Sequence, residues 1–175
     1  CALPTGGGVS GPTVEPPVPA SGSVLFQEDF QNPLSGWDQV SAAGGMMDYD
    51  NGVYRIQVTA PDYNFWSTPC KNFKDVRIEV DTAKVGGPDS NRAGIVCRVA
   101  GEQFYFFVIT SDGLFAIRHT NGTQSTLLGQ TEMAQSANIK TGLAINHLRA
   151  DCIGSTLSFY VNGFLVAQAN DSALT

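Results

Sequence analysis

The sequence lacks the features that mark several large classes of protein. No apolar run reaches the roughly 20 residues that a membrane-spanning helix needs. Lysine and arginine together number ten, are scattered along the chain and are outnumbered by acidic residues, so the formal net charge is −6. Because a surface that follows nucleic-acid phosphates needs clustered basic residues, we expect no nucleic-acid partner.

Helical patterning is also scarce. No window longer than about twelve residues keeps apolar side chains at helical spacing. Instead, short apolar segments recur between Gly, Asn and Asp turns, which is typical of a β-sandwich or barrel. Residues 75–119 predict four strands, residues 24–30 predict a first strand, and Asn51-Gly52 and Asn162-Gly163 predict tight hairpins.

Alternation along the predicted strands separates a core face from a polar face. Val76, Ile78 and Val80 fall on one side of their strand, since successive side chains point to opposite faces. Charged residues occupy the alternate positions, of opposite parity to the core residues of the same strand. They are Arg77, Glu79, Asp81, Arg98, Arg149 and Asp151. This set is either a self-neutralising ladder of charges or a face that holds a ligand or partner. In the second case, Tyr105 and the loop aromatics Tyr63 and Trp66 would add ring stacking to the hydrogen bonds of arginine.

Four cysteines leave room for few disulfides. Setting Cys1 aside, three thiols allow one pair at most. Cys97 shares its face with Ile95 and Val99, and Cys152 shares its face with core residues of its own strand, so we predict a Cys97–Cys152 disulfide. Cys70 is then left over, and three buried free thiols are the alternative.

The N-terminal segment is compositionally distinct. Residues 2–23 are rich in Pro, Gly, Thr, Val and Ser and predict a flexible tether of up to roughly 60 Å at about 3 Å per residue. A first residue Cys1 followed by such a segment resembles mature bacterial lipoproteins, which implies acyl chains on Cys1 that anchor the protein in a membrane. We therefore expect a tether over 1–23, one sandwich over 24–175, and an extracytoplasmic location on the outer face of a bacterial membrane.

The order of the segments from LFQEDF to FLVAQANDS resembles the concanavalin A-like, laminin-G-like jelly rolls, and most of all the bacterial branch related to the 3-keto-disaccharide hydrolase domain. The resemblance covers 24–175 and implies an all-β jelly-roll sandwich. Relatives usually have a further strand after the equivalent of DSALT. Either such a strand follows beyond Thr175 or it is absent, and in the second case we expect an unpaired strand edge on which a partner could dock.

Catalysis and metal binding are not expected. Hydrolases on this fold place a second glutamate a few residues after the equivalent of Glu79, where this sequence has Ala83 and Lys84, and retaining hydrolysis needs both carboxyls. His119 and His147 have no companion at a metal-ligand spacing. We expect no cofactor, although Glu28 and Asp29 are candidates for a structural calcium ion in this kind of jelly roll.

Two functions fit these observations. In the first, the chain is a non-catalytic, lipid-anchored accessory protein that docks by its tail and sandwich on a larger membrane or cell-surface complex. In the second, it is a carbohydrate-binding module that holds a surface or environmental glycan. We predict the first and keep the second as the alternative.

Overall fold

The computed structural model describes residues 22–61 and 63–174. Cys1 and nearly all of the predicted tether lie outside the described residues. Within those ranges the chain consists of strands, turns and irregular segments, and no helix long and apolar enough to cross a membrane is found there. The prediction of an all-β protein is confirmed.

The strands run antiparallel and most are joined by tight turns. In chain order they are β1 (Val40–Ala42), β2 (Gly45–Asp50), β3 (Val53–Val58), β4 (Val76–Thr82), β5 (Arg92–Ala100), β6 (Gln103–Thr110), β7 (Leu114–Asn121), β8 (Ser125–Leu128), β9 (Ala134–Gln135), β10 (Asn146–Ile153), β11 (Thr156–Val161) and β12 (Phe164–Asn170). The described chain divides into two compact units, residues 22–73 and 74–174.

Unit 74–174 is a sandwich of two sheets. One sheet has the order β12-β11-β10-β4, and the other has the order β5-β6-β7-β8 with β9 paired to β7. Phe107 and Ile117 of the second sheet share one buried cluster with Leu148 and Phe159 of the first, and all four are fully buried. The two sheets therefore form a single apolar core.

A disulfide crosses this core. Cys97 of β5 is bonded to Cys152 of β10, so the covalent link joins one sheet to the other, and Cys70 is free and exposed. The predicted pairing is confirmed. Ile95 shares the core face with Cys97, but Val99 does not, because the pairing register between β5 and β6 shifts between Cys97 and Ala100 and leaves Val99 40% exposed.

The turn signals also hold in this unit. Residues 75–119 form four strands, β4 to β7, as predicted. Asn162 and Gly163 both have positive φ and close the β11–β12 hairpin, where Asn and Gly are the residues that adopt this backbone most readily.

Unit 22–73 contains the small sheet β1-β2-β3. The hairpin at Asn51-Gly52 joins β2 to β3 as predicted, with both residues at positive φ. Tyr49 and Tyr54, which are paired across these strands, pack with Phe30 and Trp37 in an aromatic cluster with ring centroids 5.3 to 6.3 Å apart. Phe30 and Trp37 therefore serve the packing of this unit.

The predicted first strand over 24–30 is wrong. A Glu28 carboxylate oxygen accepts the backbone N–H groups of Asp29 and Phe30, and Phe30 adopts a left-handed φ of 56°. This local turn competes with extended pairing, since the acidic side chain offers the backbone an alternative acceptor. Val24 and Leu25 are consequently exposed.

Candidate functional site

One side of the sheet β12-β11-β10-β4 carries a concentration of polar side chains, which we call the polar face. Because directly opposed residues of neighbouring strands point to the same side, the register places the polar face on every second residue of β4 and β10 and on the partners of those residues in β11. Its charged or aromatic members are Arg77, Glu79, Asp81, His147, Arg149, Asp151 and Tyr160, and the buried Ser158, the partner of Asp151, lies on the same side.

Asp151 lies at the centre of an ion-pair network at one end of the face. Its two carboxylate oxygens accept hydrogen bonds from Nε and Nη2 of Arg77 at 2.9 and 3.2 Å, and from Nε and Nη2 of Arg149 at 3.0 and 2.6 Å. Burial alone raises the pKa of Asp151, but the hydrogen bonds and charges of the two arginines outweigh it and hold the pKa below the ordinary value. Asp151 is therefore a structural anion that fixes both guanidinium groups.

Arg149 is held from a second direction. Its guanidinium lies over the ring of Tyr160 at 4.0 Å from the ring centroid, an arrangement that favours the cation. The hydrogen bond to Asp151 raises the pKa of Arg149 above its ordinary value. Arg149 is therefore a permanently charged side chain, 15% exposed, whose Nε and Nη2 are bound to Asp151.

The other end of the face is open. Glu79 and Asp81 of β4 have side chains 51% and 71% exposed, and His147 of β10 lies between them. His147 Nδ1 is 2.8 Å from an Asp81 oxygen, and its Nε2 is 4.0 Å from a Glu79 oxygen. These two carboxylates are the acceptors that the face offers to a ligand.

Arg98 does not belong to the polar face, contrary to the prediction from its parity. The bulge in β5 gives Arg98 a left-handed φ of 52°, and its side chain is only 6% exposed. Nη1 donates to the backbone oxygen of Leu174 at 2.7 Å, and Nη2 donates to Asp75. Arg98 thus holds the C-terminal segment, because the extra residue of a bulge redirects the side chains that follow.

Tyr105 does not lie on the polar face either, so the prediction that it could contact a ligand there is wrong. It shares its parity with Phe107 and Ile109, is fully buried and belongs to the core cluster. Its hydroxyl donates to Asp171 at 2.8 Å and accepts the backbone N–H of Leu174 at 3.1 Å. Burial raises the pKa of Tyr105, and the hydrogen bond to Asp171 raises it further. Tyr105 therefore cannot contact a ligand on the polar face.

The loop aromatics Tyr63 and Trp66 belong to unit 22–73. Their exposed fractions are 52% and 37%. Ala83 and Lys84 follow the end of β4, and Lys84 is paired with Asp89. Glu28 and Asp29 use carboxylate oxygens on neighbouring backbone N–H groups, and no set of three metal-ligating side chains occurs in 22–61 and 63–174. The calcium candidates stay untested, as does the lipid on Cys1.

Reasoning from sequence missed two members of the polar face. His147 has the same parity as Arg149 and Asp151, so alternation along β10 was sufficient to place it there. Tyr160 pairs directly with Arg149, and that partner depends on the β10–β11 register, which follows from the turn at 153–156.

Comparison with known proteins identifies a fold. No protein-family model matches the chain, and no curated protein sequence matches it. Among solved structures, the chain is similar to the carbohydrate-binding module CBM66 from Bacillus subtilis, with a TM-score of 0.53 and 16% sequence identity over 80% of this chain and 82% of that one. At this identity the similarity shows the fold alone, and the chain has the all-β, jelly-roll-like sandwich architecture that the sequence predicts.

Proposed function

We propose that the chain is a non-catalytic carbohydrate-binding module and that the polar face holds a neutral glycan. This reverses the order of the two functions weighed from the sequence. The observation that carries the proposal is the exposed pair Glu79 and Asp81 beside an arginine that is stacked on a tyrosine. The similarity to a solved carbohydrate-binding module supports it at the level of fold.

The chemistry of the polar face suits hydroxyl groups. A sugar hydroxyl can donate to the open carboxylates of Glu79 or Asp81 and accept from the remaining amino group of Arg149, so one polyol satisfies both kinds of protein group. Hydrogen bonds to ionised groups are the stronger kind, contributing about 1.5–3 kcal/mol each. The buried Tyr160 ring packs against the Arg149 guanidinium and helps to hold it beside these acceptors.

The charges on the face favour a neutral glycan over an anionic one. Both arginines already bind Asp151, whereas the two exposed carboxylates face His147, at 2.8 Å from Asp81 and 4.0 Å from Glu79. An acidic sugar would approach Glu79 and Asp81 with like charge, and like charges repel most at short range. The net charge of −6 acts in the same direction.

The experiment is a binding survey of the full chain on neutral and acidic oligosaccharides, followed by calorimetry on the ligands found. We expect binding to neutral glycans, with Glu79→Gln and Arg149→Ala each weakening it about ten-fold, since one charged hydrogen bond is removed. Glu102→Gln, an exposed carboxylate at the β5–β6 turn, is the matched control and should bind normally. Absence of binding across the whole survey, or normal affinity in both face variants, would overturn the proposal.

We propose no hydrolysis at this face. The strand that carries Glu79 ends at Thr82, and the positions that would supply a second glutamate are Ala83 and Lys84. A pair of carboxyls on opposite sides of the scissile bond is what glycosidic cleavage requires. A complex between the module and an intact oligosaccharide should therefore persist without product, as chromatography of the incubated sugar would show.

Anchoring on Cys1 and docking on a larger complex form a second candidate function. One observation favours it: within the part of the chain that the structure describes, β12 has a hydrogen-bonded neighbour on one side only, β11, and it carries the half-exposed Leu165. An edge strand with free backbone groups is a common docking element. Isolation of the native protein with its membrane would test this proposal through the acyl mass on Cys1 and stoichiometric co-migration with a partner. A free, unacylated chain would refute it.

A further inference from the structure

Unit 22–73 contains a pocket that the polar face does not use. Met47, Asn64, Phe65 and Trp66 line a cavity of about 200 Å³. Met47 is buried and forms part of the wall, whereas Trp66 is 37% exposed. The pocket is thus an indentation with an aromatic side chain accessible to solvent.

Two glycines allow the aromatic segment to lie against the sheet. A Cβ atom at Gly44 would lie 2.3 Å from the Tyr63 ring, and one at Gly45 would lie 2.9 Å from the Phe65 ring. Both distances are too short for any side chain, so only glycine lets these rings approach the start of β2. Tyr63 and Phe65 are themselves stacked, with centroids 6.3 Å apart and planes inclined by 20°. The segment that carries Tyr63 and Phe65 is consequently packed against the sheet.

The lining of the pocket selects one kind of ligand. Its described members are two aromatic rings, a thioether and the amide of Asn64, which both donates and accepts, and none of these four side chains carries a charge. These four side chains supply neither a cation for a phosphate nor a carboxylate, thiolate or imidazole ligand for a metal ion. They suit a small ring with one apolar face and hydroxyl groups at its edge, which stacks on an aromatic side chain and exchanges hydrogen bonds with an amide.

We infer that this pocket is a second carbohydrate subsite, which binds one ring of a neutral sugar by stacking on Trp66 and by hydrogen bonding to Asn64. The choice of ligand rests on the proposed function, but the site uses different residues in a different unit. With the polar face, each chain then offers two subsites, and a polysaccharide with many repeats can occupy subsites on neighbouring chains, which raises the apparent affinity without new contacts.

The test uses the full chain and short neutral oligosaccharides of glucan, mannan, galactan and xylan type. Calorimetry should give two sites per chain for a ligand that binds, and tryptophan emission should change on binding. Trp37, the other tryptophan, is packed in the aromatic cluster and contributes a constant background. Trp66→Ala should remove the emission change, reduce the stoichiometry to one and leave the polar-face site intact. Trp66→Phe, which keeps a ring, should restore part of the affinity.

Leu34→Ala is the matched control, because Leu34 is 86% exposed in the same unit and does not line the pocket. The variant Glu79→Gln/Arg149→Ala separates the two proposals. If it retains one site that depends on Trp66, the inference stands. If Trp66→Ala binds with unchanged affinity and stoichiometry while the polar-face variant loses binding, the inference is wrong and the proposed function survives. If the unmodified chain binds none of these sugars, both are wrong.

Discussion

Opening the Cys97–Cys152 disulfide should remove a large part of the stability of unit 74–174. The bond joins β5 to β10 across the core and closes a loop with a sequence separation of 55 residues. Without the bond, the unfolded chain regains the conformational entropy of a loop of this length. In the chain-entropy model this lowers the free energy of unfolding by about 4 kcal/mol at 25 °C. With a urea dependence of about 2 kcal/mol per M, the midpoint of unfolding should fall by about 2 M.

Two perturbations separate the covalent link from the packing of its sulfur atoms. Reduction keeps both thiols in the core, whereas Cys97→Ala with Cys152→Ala also leaves a small void and should cost somewhat more. All measurements are made in a Cys70→Ser background, because Cys70 is free and exposed and could exchange with the buried bond. Cys70→Ser alone is the control and should leave the midpoint unchanged.

The choice of signal matters. Trp37 and Trp66 both lie in unit 22–73, so tryptophan emission does not report directly on the unit that contains the disulfide. Far-ultraviolet circular dichroism follows the strands of the sandwich and is the signal to use. If reduction lowers the free energy of unfolding by less than about 1 kcal/mol, the reduced chain keeps the two sheets together in its unfolded ensemble. That result would refute the reasoning from loop entropy.

Two further predictions concern buried polar groups of the same unit. Asp151→Asn should lower the free energy of unfolding in urea by about 2 kcal/mol, since it removes the charge between Arg77 and Arg149. The control Asp50→Asn affects an exposed pair with Arg55 and should lower it by less than about 1 kcal/mol. Equal losses in the two variants would contradict this prediction. Because the folded pKa of Asp151 is lowered, its contribution is present above the ordinary aspartate pKa of about 3.9 and is lost as the pH falls through the folded value, so Asp151→Asn should flatten the loss of stability in acid. Tyr105→Phe should lower the free energy of unfolding by about 1–2 kcal/mol in the same assay, because Asp171 and the Leu174 N–H lose a partner. Tyr63→Phe, at an exposed ring, is its control. A loss no larger than that of the control would show that water replaces the hydroxyl.

Much of the sandwich could be predicted because alternation and turn chemistry are local. Four strands over 75–119 follow from period-two patterns between Gly and Asp turns, and the disulfide follows from the side on which each cysteine falls. Leu148, Ala150 and Cys152 are all fully buried, as the pattern of β10 requires. Such predictions need no knowledge of the partner strand.

The errors arise where a distant group or a backbone irregularity decides the outcome. Phe30 leaves the extended conformation because Glu28 offers its backbone a competing acceptor. Tyr105 can lie in the core because Asp171 and Leu174, more than sixty residues along the chain, satisfy its hydroxyl at 2.8 and 3.1 Å. Neither partner is visible in the pattern of the strand itself, which reads as apolar on both faces.

Arg98 shows how one such irregularity changes the partners of a side chain. Parity along its own strand does not distinguish it from Arg77 and Arg149, but β5 belongs to the other sheet, so Arg98 could not have joined the polar face. The bulge in β5 instead turns Arg98 toward Asp75 and the Leu174 carbonyl, where its side chain is almost fully buried. The arginines that remain are both committed to Asp151, so the exposed carboxylates of Glu79 and Asp81 determine which ligands can approach. We therefore expect a neutral glycan because of these two exposed carboxylates.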